Sequence, residues 1–119
     1  MSQNFQAGDF LIFQIESGYG LLRILAIDEI GSGIVWHLAA YNEMFMDIDM
    51  ADAAIENYHN LTVSYSHLAL TNRAFESTQV ARMKNVPLTE SDLQGYKTWQ
   101  NNPSRTVSDL SVRLLLGLR

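Results

Sequence analysis

The sequence predicts an α+β domain in which a small antiparallel sheet comes first and helices come last. Three observations lead there. Apolar residues alternate along Phe10–Glu16, Leu21–Ile30 and Ile34–Tyr41, glycine-bearing turns separate these runs, and helical spacing with capping residues is concentrated after Leu88. Strands followed by helices, rather than alternating with them, is the α+β order.

Phe10–Glu16 places Leu11, Phe13 and Ile15 on one face and Phe10, Ile12 and Gln14 on the other. Ser17-Gly18-Tyr19-Gly20 offers two positions where a positive φ is cheap, as a tight hairpin requires, and puts Tyr19 at an exposed tip. Leu22, Ile24 and Ala26 then alternate against Leu21, Arg23, Leu25 and Ile27. The turn Gly31-Ser32-Gly33 leads into Ile34–Tyr41, completing a meander. From Glu43 the period changes: Asp49, with Asp52 three residues on, predicts the cap of a short helix that Tyr58-His59-Asn60 ends. Leu61, Val63, Tyr65 and His67 alternate against Thr62, Ser64 and Ser66, the pattern of a half-exposed strand with the first set inward. Thr71–Glu76 predicts one helical turn and Thr78–Lys84 a fifth strand. About five such strands, apolar on both faces, curl most economically into an SH3-like, partly open barrel, with the C-terminal helices over an open side or edge.

Thr89 and Asp92 have capping-box spacing, and Leu88 and Leu93 that of a hydrophobic staple. The helix they start runs to about Asn101 with Leu93, Tyr96 and Trp99 inward, and Gly95 weakens it by about 1 kcal/mol relative to alanine. Thr106 and Asp109 repeat the capping pattern, with Val107, Leu110, Leu114 and Leu118 at helical spacing. Leu115 and Leu116 widen that stripe, so the helix is either well buried or an oligomer contact through Leu114, Leu115 and Leu118, which would make a homodimer. All of this reads as one domain over 1–119, strand-rich over 8–85 and helical over 88–118.

Composition bounds the function classes. The chain has 119 residues, 47% of them hydrophobic, and no cysteine, which excludes a disordered chain and a disulfide scaffold. A net charge of −5 disfavours nucleic acid as a partner. The longest apolar run, Leu114–Leu118, falls far short of the roughly 20 residues that cross a bilayer, and no secretory signal is visible, so the expectation is a cytoplasmic protein with no membrane partner. Residues 1–60 hold nine Asp/Glu and one cation, Arg23, for −8; residues 61–119 hold four Asp/Glu and seven Lys/Arg, for +3. The plain reading is that the halves fold together and partly cancel. The sharper one is an acidic face for a basic protein partner.

No constellation singles out a reaction. Asp47-Ile48-Asp49-Met50-Ala51-Asp52 resembles a calcium loop at its start, but loop positions 5, 6 and 12 would hold Ala51, Asp52 and Tyr58. Gly18-Tyr19-Gly20 lacks the following helix that phosphate binding uses. Asp28 and Glu29 read as solvated turn residues. Ser66 and His67 are strand neighbours and point to opposite faces, so they make no nucleophile–base pair. Catalytic residues, metal ligands and cofactors are therefore expected to be none. His37 and His67 lie on strands whose side chains can meet, and His37 shares a strand face with Tyr41, opposite Trp36. Tyr19, His37, Tyr41 and His67 are the candidate binding surface. The competing reading is a small enzyme or ligand-binding protein with a pocket around His37, Tyr41 and His67.

Gly8-Asp9-Phe10, followed by Gly18-Tyr19-Gly20-Leu21-Leu22-Arg23-Ile24-Leu25, resembles the opening of small bacterial SH3-like immunity proteins of polymorphic toxin systems and related uncharacterised proteins. The likeness covers about 20 residues near the N-terminus. It implies a non-enzymatic, protein-binding inhibitor whose acidic first half faces a basic toxin. It carries over no catalytic residue, and Gly8, Asp9, Gly18, Tyr19 and Gly20 match as fold determinants.

Overall fold

The structure, a computed structural model, describes residues 4–31 and 33–117. Five strands make one open antiparallel sheet: β1 (Asp9–Ile15), β2 (Gly18–Ile30), β3 (Gly33–Phe45), β4 (Val63–Thr71) and β5 (Ala81–Asn85), in the order β4-β3-β2-β1-β5. Helix α1 (Ile48–Ile55) and a 3-10 turn (Tyr58–Asn60) lie between β3 and β4, and α2 (Asn72–Thr78) lies between β4 and β5. Helices α3 (Gln94–Gln100) and α4 (Val112–Leu115) follow. The α+β class is therefore the one the sequence implies.

Both faces of the sheet are covered, as the doubly apolar strands require. On one face Leu11, Phe13, Leu22, Ile24, Trp36 and Leu38 pack with Ala74 and Phe75 of α2 and Val112 of α4. On the other, Phe10, Ile12, Leu21 and Tyr41 pack with Ala51 and Ile55 of α1 and with Tyr58. The i, i+4 pair Ala51 and Ile55 is what turns α1 toward the sheet.

The first hairpin is tighter than the sequence suggests. Ile15 pairs with Gly18, so the loop is Glu16-Ser17, and neither Gly18 nor Gly20 has a positive φ. Both are glycines for room: a Cβ would sit 2.4 Å from the Phe45 carbonyl oxygen at Gly18, and 2.7 Å from the Phe13 ring at Gly20. Gly31, in the β2–β3 turn, does use the left-handed region at φ +61.

Four local expectations shift. Asp47, not Asp49, caps α1, its Oδ1 accepting from the Met50 amide at 2.8 Å. In β4, Val63 and Tyr65 are 49% and 42% exposed rather than inward, because β4 is an edge strand whose pairing slips past Ala40. The fifth strand begins at Ala81, since α2, capped by Thr71, extends to Thr78. Finally, residues 106–109 form no helix: Ser108 bridges Leu70 in parallel, and Asp109 binds Thr71 Oγ1 at 2.6 Å and pairs with Arg73. The tail's hydrogen bonds go to the sheet edge, and the helical turn waits until Ser111 caps α4.

The capping box at Thr89 and Asp92 does form. The Asp92 amide donates to Thr89 Oγ1 at 3.2 Å and the Thr89 amide to Asp92 Oδ2 at 3.0 Å, although regular helix starts only at Gln94. Among the described residues, no helix is long and apolar enough to cross a membrane.

Candidate functional site

The densest polar constellation lies between the sheet and α3. His37 is held on β3 opposite Ala26, directly beside a bulge between Ile24 and Ala26 of β2. That bulge re-aims the end of β2, so Asp28, two residues on from Ala26, falls on the His37 side. His67 comes from β4, next to the slip between Leu38 and Ala40. Helix α3 closes over both. A Cβ at Gly95 would lie 2.9 Å from His67 Cβ, from the Ser66 carbonyl oxygen and from Ser66 Oγ, so the glycine allows the helix to sit against the strand.

Four side chains then form a chain of contacts. Tyr96 OH donates to Asp28 Oδ2 at 2.8 Å and accepts from Gln100 Nε2 at 3.0 Å. Asp28 Oδ2 is 3.0 Å from His37 Nε2, and His37 Nδ1 is 2.9 Å from His67 Nε2. The Asp28–His37 approach is short but poorly aligned, leaving His37 Nε2 without a well-directed hydrogen bond. With Asp28 facing the Nε2–H, His37 Nδ1 is the acceptor and His67 Nε2–H donates to it. The Tyr96 and Trp99 rings each lie 4.6 Å from the His37 ring, and Trp99 Nε1 donates to the Thr106 carbonyl at 2.8 Å.

Burial controls the electrostatics here. It lowers the His37 imidazole below its usual value, against the opposing pull of Asp28. Burial, reinforced by His37, pushes His67 down to about 4. Burial and the Asp28 carboxylate push Tyr96 up to about 12. At neutral pH the pair is two neutral imidazoles sharing a hydrogen bond above a carboxylate. Such a chain can pass one proton along its length, but His37 is fully buried and the pocket touching His67 and Trp99 holds only about 170 Å³. Among the described residues, no group of three or more His, Cys, Asp or Glu is arranged to hold a metal ion.

The second polar centre is Arg23, fully buried on β2. Its guanidinium lies between the rings of Phe10 and Tyr58, at 4.6 and 4.4 Å from their centroids. It donates to Asp92 Oδ2 at 3.0 Å and to the carbonyls of Val86 and Pro87 at 2.8 and 3.2 Å, while its Nε lacks a partner. Tyr58 OH also donates to Asp92. Burial pushes the Asp92 carboxyl up, but Thr89 and Arg23 outweigh it and hold it below its usual value.

The sequence-derived candidates thus separate. His37 and His67 are brought together. Tyr41 packs instead on Phe10, at a ring distance of 5.9 Å in the second core cluster, where burial raises its phenol against the pull of Arg23. Tyr19 lies on β2 half-buried against the same cluster rather than at an exposed tip, because the loop comes two residues earlier. Leu114 is 64% exposed, Leu115 packs on the first cluster, and Leu118 lies outside the described residues. Asp28 reads in the sequence as a solvated turn residue, yet it joins β2 to α3. Its alternation with Ala26 on the strand was the signal that could have found it.

Two open grooves complete the surface. One, of about 600 Å³, runs past Phe5, Trp36 and Phe75; the other, of about 570 Å³, past Val35, Trp99 and Arg105. Both share Ile34 and Asn72. Comparison with protein-family models, with curated proteins and with solved structures finds no match for this chain.

Proposed function

We propose that the chain is a non-enzymatic protein-binding module whose acidic first half faces a basic partner, with a toxin-inhibiting immunity protein as its specific form. The observation that carries this reading is the placement of Arg23. It is the only cation in residues 1–60, it is buried, and it pairs with Asp92 of the second half. The surface made by the first half therefore presents carboxylates with no cation of its own. Lys84 of the second half relieves it locally, reaching Glu56 at 2.5 Å and Asp52 at 3.6 Å. A field of one sign steers oppositely charged partners in and keeps like-charged ones away. The likeness of Gly8-Asp9 and Gly18-Tyr19-Gly20 to immunity proteins supports the same direction.

The test compares the native chain with a Glu29→Lys/Asp49→Lys variant, two exposed acids, in affinity capture from the source cell followed by elution with rising salt. The native chain retains proteins of net positive charge and the variant loses them. Growth rescue, on coexpressing the chain with the captured protein, would establish the inhibitor form. Retention of no basic protein by the native chain would refute the reading.

A further inference from the structure

We propose that residues 44–50 are the docking strip for a basic segment of a protein partner that presents an apolar face, an inference resting on the acidic-surface reading above. The strip spans the end of β3 and the first turn of α1. In it Met46 is 81% exposed, Met44 56%, Met50 51% and Ile48 49%. Single exposed apolar residues need no explanation, but four large ones within seven positions do. Three are methionines, whose unbranched, polarisable side chains repack around varied partners. None of the four is among the side chains packed on either core cluster, whereas Phe45 between them packs on the second.

Charge selects the occupant. Glu43 borders the strip and Asp47 and Asp49 lie within it, and none pairs with a cation among the described residues; Glu43 accepts from the Thr62 amide, and Asp47 caps α1. No Lys or Arg occurs between Arg23 and Arg73 in the sequence. A second copy of this chain would set the same acids opposite each other, and an anionic lipid surface would be repelled. A partner with Lys or Arg flanking apolar side chains satisfies both the rim and the strip, the arrangement of an amphipathic helix laid on a methionine-rich surface.

The probe is a synthetic leucine–lysine peptide of about 18 residues with a helical apolar stripe, compared with a scrambled peptide of the same composition. Full-length chain carrying 13C-methyl methionine is titrated with each at low salt. The striped peptide should saturate, shifting the methyl signals of Met44, Met46 and Met50 while leaving Met83 in place. Met46→Lys/Met50→Lys, both at exposed positions, should weaken that binding by at least about tenfold with the circular dichroism spectrum unchanged. If the scrambled peptide binds within about threefold, or the shifts fall elsewhere, the strip is overturned while a basic partner stands. If neither peptide binds, the acidic-surface reading falls with it. Binding of zwitterionic phosphatidylcholine vesicles through the same methyls would overturn a protein partner in favour of a lipid surface.

Discussion

His67 Nε2 lies 2.9 Å from His37 Nδ1, and there is room for one proton between them. Protonating both rings would set two N–H groups against each other beneath α3, with Asp28 placed to compensate His37 but not His67. The pair therefore ties the seating of α3 to pH. Both histidines are held below their usual value, His67 at about 4, so between about pH 6.5 and pH 4 the unfolded chain takes up protons that the folded chain refuses. Stability is full above the unfolded value and falls as pH drops toward 4, then levels off. For His67 the loss is about 1–3 kcal/mol, the lower figure allowing for solvent near its half-buried ring. Urea midpoints measured from pH 7 to pH 4 should show this fall, and His67→Gln should flatten it.

Gly95→Ala separates helix propensity from packing. Propensity alone makes alanine better by about 1 kcal/mol. The new methyl, however, meets His67 Cβ and Ser66 at 2.9 Å. The variant should lose about 1–3 kcal/mol, as overpacked sites do, with Tyr96 and Trp99 fluorescence altered. A gain in chemical-denaturation stability would show that α3 does not lie against β4 in this way.

Arg23 and Asp92 should behave as a coupled pair. Asp92→Asn leaves a buried guanidinium uncompensated and should cost about 3 kcal/mol; Arg23→Met abandons the Val86 and Pro87 carbonyls and should cost a similar amount. The double variant should lose less than the sum, which a double-mutant cycle in urea measures directly. Arg23→Lys should not rescue, because one ammonium cannot reach a carboxylate and two carbonyls through a fixed fork.

The leucine-rich end should divide residue by residue. Leu114→Glu changes a 64% exposed side chain and should move stability by no more than about 0.5 kcal/mol, whereas Leu115→Glu drives a charge onto the first core cluster and should cost about 2 kcal/mol or more. Thermal unfolding distinguishes the two. Light scattering on Leu114→Glu reports whether this side chain also holds two copies together.

What was legible in the sequence was local. The Thr89–Asp92 reciprocal cap and the Gly31 turn depend on neighbours within three residues, and both form. The Leu61–His67 alternation misled because period two says that one face differs from the other, not which strand lies at an edge. Val63 and Tyr65 stay exposed because neither core cluster reaches over that end of the edge strand. Gly18 and Gly20 misled in another way: a glycine needed for room against Phe45 or Phe13 looks identical to one needed for its dihedral angles. Of the polar centre, the His37–His67 pair was legible, since both sit on strands that can pair; Asp28 and Tyr96 escaped, because they reach it from a further strand and a helix. Only the bulge at Ile24/Ala26 sets Asp28 beside His37.

The bridge from Ser108 to Leu70 has a consequence for biosynthesis. Ser108 donates to the Ala69 carbonyl and accepts from the Thr71 amide, closing the upper border of β4 with residues made some forty positions later. Until residues 106–112 leave the ribosome, a nascent chain carries an otherwise finished sheet with that border bare. A neighbouring nascent chain on the same messenger could then pair where Ser108 belongs. A chain ended at residue 105 would keep that border bare for good and should give more of such tangled chains than the full chain, which light scattering on the freshly made proteins would register.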